Sequence, residues 1–223
     1  MARAALNGFL AGPIIALVGA LCLSVGVQAQ TPASPPVFVE ILAQPSIMKD
    51  LRAGGLVLYM RHGNTDNSKP DAVPKVDLND CATQRPLNEE GRQVAAMIGK
   101  YMHAARIPIA EVIHSPLCRA RESAQLAFGY LGDKLRQEPN LMYVGNFTSL
   151  EKAPVLAMTR QLVSTPVPAG TNRVLVAHAP NMADLMGYFV KPEGTVVVLR
   201  PLGDGRFDYL GSIHPAMWPG LLK

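Results

Sequence analysis

Residues 55–63, Gly-Leu-Val-Leu-Tyr-Met-Arg-His-Gly, decide the fold. After a pair of glycines, an aliphatic run of this length predicts a short strand that is buried on both faces. The run ends abruptly in Arg61 and His62, so these two polar side chains lie where a strand ends and a loop begins. Ligands of α/β proteins bind at that edge of the sheet. The triplet Arg61-His62-Gly63 therefore marks a candidate site, provided that the residues after other strands supply further functional side chains there.

The rest of the chain alternates strands with helices. Asn88 is typical of a helix N-cap and predicts a helix that begins at Glu89. The other predicted elements are helices over 45–52 and 153–162 and strands over 107–114, 173–177, 195–199 and 207–213. This alternation predicts a mainly parallel sheet covered on both faces. The last two strands are joined by a Gly-Asp-Gly turn, which indicates an antiparallel hairpin at one edge.

Two further predicted strands are followed by an arginine or a histidine. Ser115 as a cap and Pro116 in the first turn predict a helix start that places Arg119 near the end of the second strand. His178 follows the strand over 173–177, and Pro180 marks the start of another helix beside it.

Arg61, His62, Arg119 and His178 thus converge on one predicted sheet edge. Two arginines repel cations, and no carboxylate is at ligand spacing, so a metal site is disfavoured. Arginines and helix N-termini instead suit the oxygens of a phosphoryl group. A histidine among cations is disfavoured from taking a proton, so His62 is expected to be a neutral nucleophile. Its other ring nitrogen then needs a carbonyl partner, which the sequence does not identify.

With these residues in place, the chain resembles the histidine phosphatase superfamily, the phosphoglycerate-mutase-like branch 1. The resemblance extends over most of the mature chain and rests on four ordered segments: 58–63, 85–91, 115–124 and 174–178. It implies an α/β fold, a three-layer α/β/α sandwich with a mainly parallel sheet. It also implies a metal-independent enzyme without a cofactor.

The resemblance also implies roles for the site residues. His62 would become phosphorylated, and Arg61, Arg119 and His178 would form the phosphate pocket. Asn64, next in the loop, is a further substrate-binding candidate. The alternative is a non-catalytic phosphate-binding module that keeps this pocket; it is disfavoured because binding alone does not need both histidines.

The general acid is not identified by sequence. Family members that act on ordinary phosphomonoesters usually supply a carboxylic acid to protonate the leaving oxygen. Asp66, Asp133, Glu138 and Glu151 are weak candidates. Without an acid, the chain would suit a good leaving group, as in phosphohistidine phosphatases, whereas export favours a small-molecule or envelope phosphate ester as substrate.

The N-terminus predicts export. Residues 1–29 combine a positive charge, an unbroken apolar run and a small-x-small cleavage pattern, which is typical of a signal peptide. An uncleaved anchor is the alternative. We expect a Pro-rich linker over 30–45 and one phosphatase domain over 46–223, located in the periplasm or secreted, with no stable membrane insertion after cleavage. The net charge of +4 is scattered rather than gathered in a stripe, which disfavours nucleic-acid binding.

Cys81 and Cys118 are the two cysteines outside the predicted signal. In an oxidising compartment they are expected to form a disulfide that stabilises the chain by roughly 3 to 4 kcal/mol. The alternative is a pair of free buried thiols.

Overall fold

The computed structural model describes residues 37–222, and a six-stranded sheet forms the centre of the molecule. Its strand order is β3-β2-β4-β1-β5-β6. The strands are β1 (Val57–Arg61), β2 (Ile109–His114), β3 (Leu135–Gln137), β4 (Asn172–Ala177), β5 (Val196–Gly203) and β6 (Arg206–Ile213). β1, β2, β3 and β4 run parallel, whereas β5 and β6 are antiparallel to their neighbours. The predicted mainly parallel sheet with an antiparallel edge is confirmed.

Helices cover both faces of this sheet. They are α1 (Ile47–Ala53), α2 (Glu89–Ala104), α3 (Cys118–Phe128), α4 (Ser149–Ser164), α5 (Ala179–Met186) and α6 (Trp218–Leu221). Apolar side chains of α1, α2, α3 and α6 pack on one face, and those of α4 and α5 pack on the other. The predicted three-layer α/β/α sandwich is therefore confirmed.

The burial of β1 on both faces explains why residues 57–60 have large apolar side chains. Val57 and Tyr59 point into the core beneath α4 and α5, and Leu58 and Met60 point into the opposite core. Because both faces of the strand are covered, every side chain must be compatible with an apolar interior. The strand is thereby fixed between β4 and β5, and its charged residue, Arg61, lies at its carboxyl end.

Two helix starts follow the sequence prediction and one does not. Asn88 caps α2, with its side chain accepting a bond from the Gly91 backbone N–H, and α5 begins directly after His178. The predicted cap at Ser115 is wrong, because α3 begins at Cys118 after an extended Leu117. Ser115 remains outside the helix, and its hydroxyl is free to contact a neighbouring strand end.

The short strand β3 was not predicted, since three residues carry too little pattern to be recognised. It forms the edge of the sheet beside β2, pairing Val112 with Leu135.

The predicted signal at 1–29 and the linker as far as residue 36 lie outside the described residues. The rest of the predicted linker, 37–45, packs on the sheet instead of running free. Leu42 pairs with Ser212 of β6, and the Phe38 ring stacks on Tyr188 with centroids 4.5 Å apart. These contacts attach the segment to the domain. Among the helices between residues 37 and 222, none has the length and apolar character needed to cross a bilayer.

Candidate functional site

The strand order brings the predicted polar strand ends to one place. β4 lies between β1 and β2, and all three are parallel, so Arg61 is level with Ala177 and His114 is level with Val176. The residues that follow these strands therefore share one edge of the sheet. The rings of His62 and His178 meet there edge to face, with centroids 5.3 Å apart.

His62 is oriented as a neutral ring with one exposed nitrogen lone pair. Its Nδ1 donates a hydrogen bond of 2.8 Å to the carbonyl oxygen of Gly63, which can only accept. The ring proton is thus on Nδ1, and Nε2 carries the lone pair. Burial, followed by the charge of Arg119, lowers the pKa of His62 well below its ordinary value, and Arg61 and Arg85 add to this effect. The ring is therefore neutral near pH 7, with a hydrogen on Nδ1 and none on Nε2.

Arg119 is buried completely, yet only part of its guanidinium is bonded. Nη1 donates to Asp71 Oδ1 at 2.9 Å, whereas Nε and Nη2 have no partner among the described residues. Burial lowers the pKa of Arg119, although Asp71 opposes the shift. The carboxylate holds the side chain in place and leaves Nε and Nη2 available as donors.

Arg61 is held in a similar way from the opposite side. Nη1 donates to the carbonyl oxygen of Val190 at 2.8 Å, and Nη2 donates to Glu193 at 2.9 Å. Its Nε is buried without a partner among the described residues. The segment just before β5 thus fixes Arg61 and leaves one donor free.

His178 is fixed through both its backbone and its ring. The Tyr59 hydroxyl donates to the His178 carbonyl oxygen at 2.7 Å and accepts from the His178 N–H at 3.1 Å. His178 Nε2 lies 2.8 Å from Ser115 Oγ, which also accepts a bond from the Leu117 N–H. In the tautomer in which the Ser115 hydroxyl donates to Nε2, His178 carries its ring hydrogen on Nδ1. That atom is buried and has no partner among the described residues.

Arg85 is a site residue that sequence reasoning did not assign a role. Its charge contributes to lowering the pKa of both His62 and His178, and its Nε is buried without a partner among the described residues. Nη1 bonds to Asn67, which fixes the rest of the guanidinium. The signal was present in the segment 85–91, which carries part of the family resemblance.

Donors that have no partner between residues 37 and 222 therefore collect at this edge of the sheet. They are Arg61 Nε, Arg85 Nε, Arg119 Nε and Nη2, and His178 Nδ1. Buried polar groups are normally hydrogen-bonded, so a cluster of donors without acceptors indicates a place for an oxyanion. In the part of the chain that is described, no three His, Cys, Asp or Glu side chains lie close enough together to hold a metal ion.

The loop after β1 approaches α2 and α3 closely. Gly63 N–H donates to Ser123 Oγ at 3.0 Å, and Ser123 itself donates to the Arg119 carbonyl oxygen at 2.7 Å. Gly91 packs against the backbone of Asn64 so tightly that a side chain at position 91 would overlap it. These contacts position the His62 loop relative to Arg119.

Other residues named from sequence are not drawn into this cluster. The Asn64 backbone bonds to the start of α2, and its side chain has no hydrogen bond to the site among the described residues. Asp66 and Glu138 bond to backbone N–H groups two residues ahead of them, and Glu151 closes the capping box of α4. Asp133 is exposed. Each carboxylate is occupied locally or distant from His62.

The predicted disulfide between Cys81 and Cys118 is present, with Cα atoms 5.8 Å apart. It joins the loop over 64–87 to the first residue of α3, next to Arg119. Gln84 Oε1 also accepts a bond of 2.8 Å from the Cys118 N–H. The loop that carries Asp71 and Arg85 is thus held against the helix that carries Arg119.

Comparisons with known proteins agree with this architecture. The model of the histidine phosphatase superfamily (branch 1) matches residues 57–163, a range that includes Arg61, His62 and Arg119 and ends before His178. No curated protein matches the sequence.

Several solved structures are similar in fold. A phosphoglycerate mutase from Bacillus anthracis str. Sterne is 15% identical, with 78% of this chain and 100% of that chain covered and a TM-score of 0.55. The alpha-ribazole phosphatase from Shigella flexneri is 14% identical, with coverage of 72% and 96% and a TM-score of 0.54. The protein histidine phosphatase SixA complexed with tungstate is 19% identical, with coverage of 72% and 97% and a TM-score of 0.50. At these identities the likeness concerns the fold alone.

Proposed function

Because the chain belongs to the histidine phosphatase superfamily, we propose that it hydrolyses a phosphomonoester through a phosphohistidine formed at His62. The observation that carries this proposal is the cluster of buried donors around the two histidine rings that have no partner in the described part of the chain. Arg61, Arg85 and Arg119 each have such an N–H donor there, and the oxygens of a phosphoryl group can accept hydrogen bonds from these donors.

The geometry of His62 supports its role as the nucleophile. Its Nδ1 proton is held by the Gly63 carbonyl oxygen, so Nε2 is the nitrogen that attacks phosphorus. The low pKa of His62 keeps that lone pair available at neutral pH. As the P–N bond forms and the P–O bond to the alcohol breaks, the guanidinium groups stabilise the charge on the remaining phosphoryl oxygens. Water then attacks the phosphohistidine and releases inorganic phosphate.

His178 supports the same reaction from the adjacent strand. Ser115 holds its Nε2, so the Nδ1–H can donate to a phosphoryl oxygen. A neutral donor at this position adds a hydrogen bond without repelling the arginines. We therefore assign His178 to binding and charge stabilisation and not to nucleophilic attack.

We further propose that the enzyme is exported and acts on a small-molecule or envelope phosphate ester. The pattern at 1–29 supports export. The Cys81–Cys118 disulfide supports an oxidising location, because such bonds persist mainly outside the reducing cytosol.

Phosphate release from a panel of phosphomonoesters, measured with EDTA present, tests the proposal. We expect the wild type to release phosphate and His62→Ala to lose more than about 10³-fold of kcat. His103→Ala is the matched control, since this exposed histidine lies on α2 and contacts Tyr130. We also expect an acid-labile, alkali-stable phosphoenzyme in the wild type and none in His62→Ala.

Two outcomes would contradict the proposal. If the wild type binds phosphate or vanadate but hydrolyses no ester, the chain is a non-catalytic phosphate-binding module. If EDTA abolishes activity and a divalent cation restores it, metal-independent transfer to His62 is wrong.

A further inference from the structure

We propose that Asp71 is the general acid of this site, and that the cavity beside it holds the leaving alcohol. The inference rests on the proposed phosphatase function and adds two features to it, a proton donor and the class of leaving group.

Two hydrogen bonds hold Asp71 at the edge of the phosphate cradle, which is the cluster of donors on Arg61, Arg85, Arg119 and His178. Its Oδ1 accepts both from Arg119 Nη1 at 2.9 Å and from the Arg85 backbone N–H at 2.8 Å. No hydrogen bond to Oδ2 is formed among the described residues, and the side chain is 21% exposed. One carboxylate oxygen is therefore fixed against Arg119, the other makes no hydrogen bond between residues 37 and 222, and Asp71 lines the adjoining cavity.

A cavity of about 880 Å³ opens next to Asp71. Tyr143 marks the shared border, because its ring lies 5.5 Å from Arg119 Cζ and also lines the cavity. Apolar side chains form much of the remaining wall: Val73, Pro74, Leu117, Met142 and Phe147. This volume is in the range of sites for sizeable organic ligands. Lys75, Asp77, Asn146 and Glu151 also line the cavity. The geometry therefore fits a phosphomonoester with a bulky alcohol that has an apolar part.

The placement gives a balanced reaction. His62 Nε2 bonds to phosphorus while the bond from phosphorus to the ester oxygen breaks, and protonated Asp71 gives its proton to that oxygen. The alcohol leaves neutral, and Asp71 remains as a carboxylate. In the second half, Asp71 accepts a proton from the water that attacks the phosphohistidine, which regenerates the acid, free His62 and inorganic phosphate.

Asp71 lies among charged groups of both signs. Its carboxylate pairs with the Arg119 guanidinium of α3 and accepts a bond from the backbone N–H of Arg85, and the charged side chains of Lys75, Asp77 and Glu151 line the adjoining cavity. A dianionic phosphoryl group bound to the free donors of these arginines offsets their positive charge.

The dependence of rate on leaving group distinguishes an acid from a residue that only positions Arg119. Asp71→Asn keeps an oxygen that can accept both hydrogen bonds but removes the transferable proton. Hexyl phosphate has a poor leaving group, and its hexyl chain suits the apolar side chains of the cavity. The p-nitrophenolate released from p-nitrophenyl phosphate is a good leaving group and needs little protonation. We expect kcat/KM to fall about 10²- to 10³-fold on hexyl phosphate and less than about tenfold on p-nitrophenyl phosphate.

Controls separate this inference from the proposed function. Asp133→Asn makes the same chemical change at an exposed carboxylate and should leave both rates unchanged. Circular dichroism and vanadate affinity establish that Asp71→Asn is folded and still binds an oxyanion in the phosphate cradle. If this variant does not fold, the pH dependence of wild-type kcat/KM on the two esters takes its place. We then expect kcat/KM to fall at alkaline pH for hexyl phosphate alone. Equal losses on both esters, or a vanadate affinity that falls in parallel, would show a positioning role and overturn the inference. Absence of a phosphoenzyme in the wild type would instead overturn the proposed function.

Discussion

Removal of the Cys81–Cys118 disulfide should destabilise the folded protein mainly through the unfolded chain. The bond closes a loop of 37 residues between the segment after β1 and the start of α3. In the chain-entropy model, closing a loop of this length lowers the entropy of the unfolded chain by about 13 cal/mol/K. This corresponds to about 3.8 kcal/mol at 25 °C, a large part of the stability of a typical domain.

The native site should tolerate the same change. Without the disulfide, Gln84 still accepts the bond from the Cys118 N–H, and Asp71 still holds Arg119. The loop therefore keeps two polar contacts with α3. We expect the folded Cys81→Ser/Cys118→Ser variant to retain kcat/KM within about threefold, since the disulfide acts mainly on the unfolded state.

Urea unfolding followed by circular dichroism measures the effect. For a slope of about 2 kcal/mol/M, a loss of 3.8 kcal/mol lowers the unfolding midpoint by roughly 2 M. Reducing the wild type should give the same shift as the double variant. The double variant with added reductant is the matched control, because it lacks the Cys81–Cys118 disulfide and should not respond further.

A change of less than about 1 kcal/mol would refute the entropic argument, since it would mean that the unfolded chain is already restricted over this loop. A normal stability loss accompanied by a collapse of kcat/KM would refute the second part. It would show that the disulfide, and not the polar contacts, positions the loop.

Three further predictions concern the site. Burial holds the pKa of His62 and His178 well below the ordinary value, so the unfolded chain binds protons that the folded protein does not. Stability should therefore fall as the pH drops below about 6.5, by up to about 1.4 kcal/mol per pH unit for each histidine; His178→Gln should reduce the slope of denaturation free energy against pH, and an unchanged slope would contradict the assignment. Gly91→Ala should cost about 1–3 kcal/mol and lower kcat/KM, because the added methyl group overlaps the Asn64 backbone; wild-type stability and activity in this variant would show that the close approach is unimportant. Inorganic phosphate at 100 times its Kd should stabilise the wild type by about 2.7 kcal/mol, and the loss of this effect in Arg119→Met, measured by thermal shift, would tie it to the free donors of that side chain, whereas its retention would place the phosphate elsewhere.

Sequence alone determined the features that depend on neighbouring residues. The apolar run over 57–60 indicated a strand covered on both faces, and Asn88 indicated where α2 begins. Polar residues directly after β1 and β4 identified a candidate site, because a strand end is visible in one continuous segment. The disulfide was also predictable, since only two cysteines remain outside the predicted signal.

Tertiary structure decided which distant side chains complete the site. Asp71 and Arg119 are 48 residues apart, His178 and Ser115 are 63 apart, and Tyr59 reaches the His178 backbone from 119 residues away. Local pattern carries no information about such pairs, because they depend on the strand order that places β4 between β1 and β2. The helix start at Ser115 failed for a related reason. The extended backbone at Leu117 delays α3 and leaves the serine hydroxyl to bond across the sheet edge.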